Sequence, residues 1–166
     1  MSEGHANFVD ELSDRLSWSA DQCPAGRALE IVGTRSAMLI MREAYFGTTR
    51  FDDFTQRVGI ADAIAAARLR ELTAAGLLER QPYREPGRRT RYEYRLTRMG
   101  RDLSPVILGL YRWGSKYLFP DGLPPVELSH SECGAPVKIS VRCAEGHPVP
   151  LDEVTVSPTH AMRQEA

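Results

Sequence analysis

Residues 51–96 read FDDFTQRVGIADAIAAARLRELTAAGLLERQPYREPGRRTRYEYRL, and this stretch decides the fold. Phe51, Phe54 and Val58 are spaced for one face of a short helix, with Asp52 and Asp53 near its positive N-terminal end. Gly59 permits a tight turn, and Ile60 plugs the angle before the next helix. That helix is expected over residues 61–75 and is stopped by Gly76. Its buried side is predicted to carry Ile64, Ala65, Leu69 and Leu72, and its outward side Ala63, Ala66, Ala67 and Arg70. Two segments alternating at period two follow, residues 77–84 and 90–96, joined by the turn Glu85-Pro86-Gly87-Arg88-Arg89. Helix, turn, helix, strand, basic turn, strand is the layout of a winged helix-turn-helix. Such a unit lays its second helix in a DNA major groove and its hairpin along the neighbouring backbone. The expected class is therefore mainly α, with a small antiparallel β wing at 78–96.

Charge supports that reading once it is mapped along the chain. The net charge of the 166 residues is only −1. Residues 35–101, however, hold 14 arginines against 8 acids, a balance of +6, between flanks of −4 and −3. A basic block between acidic flanks is the electrostatic footprint of a nucleic-acid-binding unit. Every cation in the block is arginine, which suits planar, bidentate contacts to phosphate and guanine. The residues expected at DNA are Asp62, Ala63, Ala66, Arg68 and Arg70 on the second helix and Arg84, Arg88, Arg89 and Arg91 on the wing. The alanines offer only methyl contacts to thymine, so the helix supplies fit and the arginines supply affinity. A winged helix that has lost DNA binding, with its basic face turned to an acidic protein, is the alternative that the alanine-rich face raises.

Upstream, Phe8, Val9, Leu12 and Leu16 fall at near-helical spacing and predict a short amphipathic helix. Residues 1–22 are assigned to an N-terminal dimerisation arm. Pro24 suits the first position of a helix, which makes Cys23 its N-cap, facing unpaired backbone N–H groups that favour a thiolate. The two readings of Cys23 are a redox-responsive thiol and a structural cysteine beside a capped helix. Gly33 ends the helix, and Thr34 or Ser36 caps a second one running to about Phe46. There Met38, Leu39, Met41 and Ala44 form the buried side.

Downstream, Thr97 caps a predicted helix from about Arg98 to Phe119 with a stripe of Leu103, Val106, Ile107, Leu110, Trp113 and Tyr117. A stripe that wide, beside the N-terminal helix, fits a homodimer interface. Residues 120–125 read as a linker within a 120–166 tail. The tail contains His130-x2-Cys133 and Cys143-x3-His147, with Val137, Ile139 and Val141 alternating between them. These four are the only candidate metal ligands. A degenerate ribbon or a packed hairpin accounts for them better than a zinc site, so no metal or other cofactor is expected.

An ordered series of residues carries a family resemblance. It runs through Cys23-Pro24, Phe51-x2-Phe54, Gly59-Ile60-Ala61, Arg68-Leu69-x2-Leu72-x3-Gly76-Leu77 and Pro82. It then continues as Tyr92-x-Tyr94-x-Leu96-Thr97-x2-Gly100 and closes on Trp113. Over residues 23–119 the chain resembles the HxlR-type winged helix transcription regulators of bacteria. The resemblance implies a homodimer on palindromic operator DNA, in some members switched by oxidation of the cysteine that Cys23 matches; with the arginine block, the wing and the long apolar helix, a repressor is expected. An unknown small molecule or an oxidant is the expected effector.

Other classes find little support. No apolar run approaches the ~20 residues that span a bilayer. The N-terminus lacks a signal-peptide pattern, and three cysteines form no disulfide framework, which together point to the cytoplasm. There is no Ser/His/Asp set, Gly-rich phosphate loop or carboxylate cluster, so an enzyme is not expected.

Overall fold

The structure is a computed structural model; it describes residues 4–9, 12, 14, 23–84, 86–87, 89–119 and 123–159. The chain divides into two compact units, residues 27–137 and residues 1–26 with 138–166.

The larger unit is built on helix α1 (Pro24–Val32) from Arg27 onward, helices α2 (Arg35–Tyr45), α3 (Phe51–Val58) and α4 (Asp62–Ala74), the hairpin β2 (Leu78–Tyr83) and β3 (Arg91–Leu96), and α5 (Arg98–Asp102) and α6 (Ser104–Tyr117). Pro24 opens α1 as expected, its missing N–H costing nothing at a helix start. Thr34, not Ser36, caps α2: its hydroxyl accepts from the Ala37 N–H at 3.2 Å. Gly59, at φ 69°, takes the left-handed turn between α3 and α4, a conformation that costs a side-chain-bearing residue about 1–2 kcal/mol. β2 and β3 pair antiparallel in the register Leu78↔Leu96 to Tyr83↔Arg91, and Arg50 adds an isolated bridge to Glu93 on the outer edge. Phe54, Ile40, Met41, Leu69, Leu72 and Leu78 are fully buried and form the centre of the core; Ile107 reaches it from α6.

Three expectations for this unit change. Ile64, expected inside, is 47% exposed, while Ala65, Leu69 and Leu72 are buried. Those three lie at i, i+4 and i+7, and Ile64 sits about 100° round the helix from Ala65. The single helix expected over residues 98–119 is two, broken at Leu103. Pro105 explains the break, because it has no N–H for the preceding turn and its ring crowds the carbonyl four residues back. The stripe accordingly splits: Ile107 is buried and Leu103 partly so, whereas Val106, Leu110, Trp113 and Tyr117 lie between 49% and 59% exposed.

In the smaller unit the expected N-terminal helix is replaced, where described, by a strand. β1 (Asn7–Phe8) pairs in parallel with β4 (Thr155–Val156), and Asn7 N–H donates to Val154 at 2.8 Å. A segment that short cannot sustain a helix alone, so an available strand partner wins. Leu12 is buried, and Leu16 lies outside the described residues. The expected tail hairpin around residues 137–141 is not formed as strands. Residues 143–147 close a tight turn there with an Arg142↔Pro148 bridge, and in the larger unit residues 130–135 close another with Ser129↔Pro136. No described helix is long and apolar enough to cross a membrane.

Candidate nucleic-acid interface

Helix α4 turns Asp62, Ala63, Ile64, Ala66 and Arg70 to solvent. Asp62 stands in its first turn, where the helix dipole favours an acid and where a carboxylate can accept from a cytosine amine. Arg68 is only half-exposed, and its guanidinium is paired with Glu71 one turn on, while its Nε is buried without a hydrogen-bond partner among the described residues. Its stem packs as expected, but its charge is already matched.

The wing presents Arg84, Arg89 and Arg91 as exposed side chains; Arg88 lies outside the described residues. Arg91 approaches Asp52 of α3 at 3.9 Å, with both side chains more than half exposed. An ion pair that open is worth at most about 1 kcal/mol and yields readily to a phosphate. Arg95, by contrast, is held by Glu93 at 2.8 Å.

Two further arginines belong to this surface. The guanidinium carbon of Arg80 lies 3.5 Å from the Tyr92 ring centre, and that of Arg50 lies 5.0 Å from Tyr83. With Phe51, Asp52, Arg91 and Tyr94 they line a cleft of about 360 Å³ between the start of α3 and the hairpin. Stacking on an aromatic face holds a guanidinium in place while leaving its N–H edge able to donate. Cross-strand register brings Arg80 opposite Tyr94 and Pro82 opposite Tyr92, which sets Arg80 diagonal to the Tyr92 ring. The period-two pattern contained that signal, but only with the register in hand. Three arginines and one acid among aromatic rings can hold an oxyanion such as a DNA phosphate.

The remaining candidates are Cys23 and the cysteines and histidines of the tail. Cys23 is half-buried, free, and directly precedes the first residue of α1. Cys133 and Cys143 are exposed and free. His130 Nδ1 lies 3.3 Å from Cys133 Sγ within its turn, and Cys143 and His147 share the other, where Cys143 N–H donates to the His147 carbonyl at 3.0 Å. Among the described residues no group of three or more His, Cys, Asp or Glu could hold a metal ion.

Comparison with known proteins gives a consistent result. The model of the HxlR-like helix-turn-helix family matches residues 31–121. An uncharacterized HTH-type transcriptional regulator of Mycobacterium tuberculosis is 43% identical over 141 residues, which cover 82% of this chain and 85% of that protein. Among solved structures, PA1607, described as a candidate transcription factor, is 36% identical with a TM-score of 0.76, covering 83% of this chain and 96% of that one. The redox regulator HypR in its reduced form is 29% identical with a TM-score of 0.51, covering 56% of this chain and 91% of that one.

Proposed function

Because the chain belongs to the HxlR-like helix-turn-helix family of transcription regulators, we propose that it is a homodimeric repressor of the cytoplasm, bound to a palindromic operator through helix 61–75 and the wing 78–96. The observation that carries this reading is the exposure of Arg84, Arg89 and Arg91 on the hairpin together with that of Asp62, Ala63, Ala66 and Arg70 on α4. Arginines on a wing position a protein on the phosphate backbone, and the helix between them sets the fit to the groove. The alanine-rich face of α4 reads shape and thymine methyl groups, so discrimination rests on DNA form as much as on base edges.

Dimerisation follows from α6. Val106, Leu110, Trp113 and Tyr117 are spaced along one helical face, all exposed, and the last two rings pack at a tilt of 47° with centroids 5.7 Å apart. A face of that composition is covered by a second copy, and two-fold symmetry then demands a palindromic site. Occupying promoter DNA is the simplest way for such a dimer to act, which makes it a repressor. Cys23, free and half-buried at the start of α1, is the thiol we assign to an oxidant response, and HypR, a redox regulator, shares the fold.

The test is fluorescence anisotropy of a duplex carrying the protein's own upstream region, titrated with wild type and with Arg88→Ala/Arg89→Ala over a salt series. The double variant is expected to bind more weakly, with a salt slope lower by up to about 2. Equal affinity and an equal slope would sink the reading of the wing.

A further inference from the structure

A second cavity lies away from the basic surface. It measures about 320 Å³ and is walled by α2 and α6, with Leu128 of the tail on its rim. Met38 and Leu39 line it from α2, Phe46 from just past the end of that helix, and Ile107, Leu108 and Leu110 from α6. Its size falls at the lower end of the range of about 300–1,000 Å³ typical of small-molecule sites. Of the polar groups on its wall, Arg42 is matched in charge: its Nε and Nη2 both donate to Glu43, at 3.1 and 2.6 Å. A charged ligand would therefore find no free counter-charge there, and a neutral one is favoured. Tyr111 differs. Its hydroxyl is buried and has no hydrogen-bond partner among the described residues, so a hydrogen-bond acceptor brought within its reach would satisfy it.

The wall also has a connection outward. Tyr45, which lines the cavity, donates its hydroxyl to the Gly100 carbonyl in α5. Gly100 in turn packs on the Leu77 carbonyl, at the junction between α4 and β2.

We propose that this cavity binds a neutral, mostly apolar small molecule, a single- or fused-ring aromatic carrying one hydrogen-bond acceptor, and that Tyr45 and Gly100 pass its occupancy to the end of helix α4. The binding site stands on the cavity alone. Only its role as an effector site rests on the regulator reading.

The probe is prodan, an uncharged naphthalene with one carbonyl acceptor whose emission shifts in apolar surroundings. It is titrated into the full-length protein without DNA, so a failure here leaves the DNA-binding reading untouched. Wild type is expected to give a saturable blue shift with one site per chain. Leu39→Trp and Leu108→Phe, which fill the cavity from opposite walls, should each weaken binding at least tenfold with unchanged far-UV circular dichroism. If one of them fails to fold, the other decides. Tyr111→Phe should weaken binding several-fold without closing the cavity. No saturable shift in wild type, or equal binding by the filled variants, overturns the site. Light scattering at saturating prodan should show an unchanged oligomeric state; dissociation would mean that a second copy occupies the cavity and would also overturn it. Hydrogen exchange around Leu77 and Gly100 should slow on prodan binding in wild type but not in Tyr45→Phe. Unchanged exchange in wild type overturns the coupling.

Discussion

The hydroxyl of Tyr45 donates to the backbone carbonyl of Gly100, 55 residues downstream, and so ties the last turn of α2 to α5. The same junction holds the end of α4: Thr97 N–H donates to the Leu77 carbonyl at 3.1 Å, and the Thr97 hydroxyl donates to Gly76 at 2.6 Å while accepting from Gly100 N–H at 3.0 Å. The end of α4, the end of β3 and the start of α5 therefore meet around one glycine and two hydroxyls. Partial burial first, and the charge of Asp102 second, push the Tyr45 phenol up to about 12.

That shift makes alkaline stability a test of the junction. The folded phenol keeps its proton to about pH 12, whereas the unfolded chain loses it near 10. In the window between, the unfolded state binds fewer protons, so its share of the equilibrium grows with pH. The stabilisation is complete below about pH 10 and is lost as pH rises toward 12. Urea unfolding of wild type and Tyr45→Phe at pH 8 and pH 11 checks it. The difference in stability between the two should be larger at pH 8 than at pH 11; a difference that does not change with pH removes the ionisable hydrogen bond from the account.

Gly100 admits no larger residue. A Cβ built there would run into the Leu77 carbonyl oxygen and come within 3.2 Å of Leu96 Cδ2. Because the first neighbour is backbone and not a flexible side chain, relief requires α5 to shift. Gly100→Ala is expected to cost about 1–3 kcal/mol, in the range of overpacked sites. Thermal unfolding followed by circular dichroism reads it, and a melting temperature equal to wild type would contradict the packing.

Much of this was legible in the sequence, for local reasons. Gly59, Gly76 and Thr97 punctuate the chain through their own backbone chemistry, so α3, α4 and the start of α5 fall where the residues place them. What was not legible depends on partners distant in sequence. Asn7 and Phe8 become a strand only because residues 155 and 156 are available to pair. Arg80 meets Tyr92 only in the observed register of the hairpin. The break at Leu103 had a local cause in Pro105, but the apolar period running through it concealed the stop.

The exposed side of α6 makes a prediction about assembly. Leu110 and Trp113 are 53% and 56% exposed, so an aspartate at either position perturbs little within one chain. At the centre of a two-fold interface it would bury two unpaired charges. Leu110→Asp/Trp113→Asp is expected to elute as a folded monomer, measured by size exclusion with light scattering, and to lose at least tenfold in affinity for a palindromic duplex. A variant that remains a dimer would place the interface elsewhere.

Cys23 is tested by loss of response. If its thiol is the switch, wild type treated with diamide should release its duplex, and Cys23→Ser should hold it under the same treatment. Cys133→Ser/Cys143→Ser serves as the comparison, because those two thiols are more exposed to the reagent. An unchanged release by Cys23→Ser, with protection in the double variant, would move the switch to the tail.

Arg80 separates the cleft from the tip of the wing. Its guanidinium rests on the Tyr92 ring, and no ion pair to it is seen among the described residues, so its positive charge is oriented without being matched. A phosphate seated between Arg80, Arg50 and Arg91 would release counterions for each cation engaged, and the loss of one such contact lowers the salt slope by about 0.9. Arg80→Ala is therefore expected to reduce the slope by about 1 and to weaken binding to specific and unrelated duplexes alike, since a backbone contact carries no base information. Tyr92→Leu should reproduce a smaller part of the loss, because it keeps the charge and removes the surface that positions it. If Arg80→Ala alters the preference between duplexes and leaves the slope intact, the cleft reads bases or shape and does not hold the backbone.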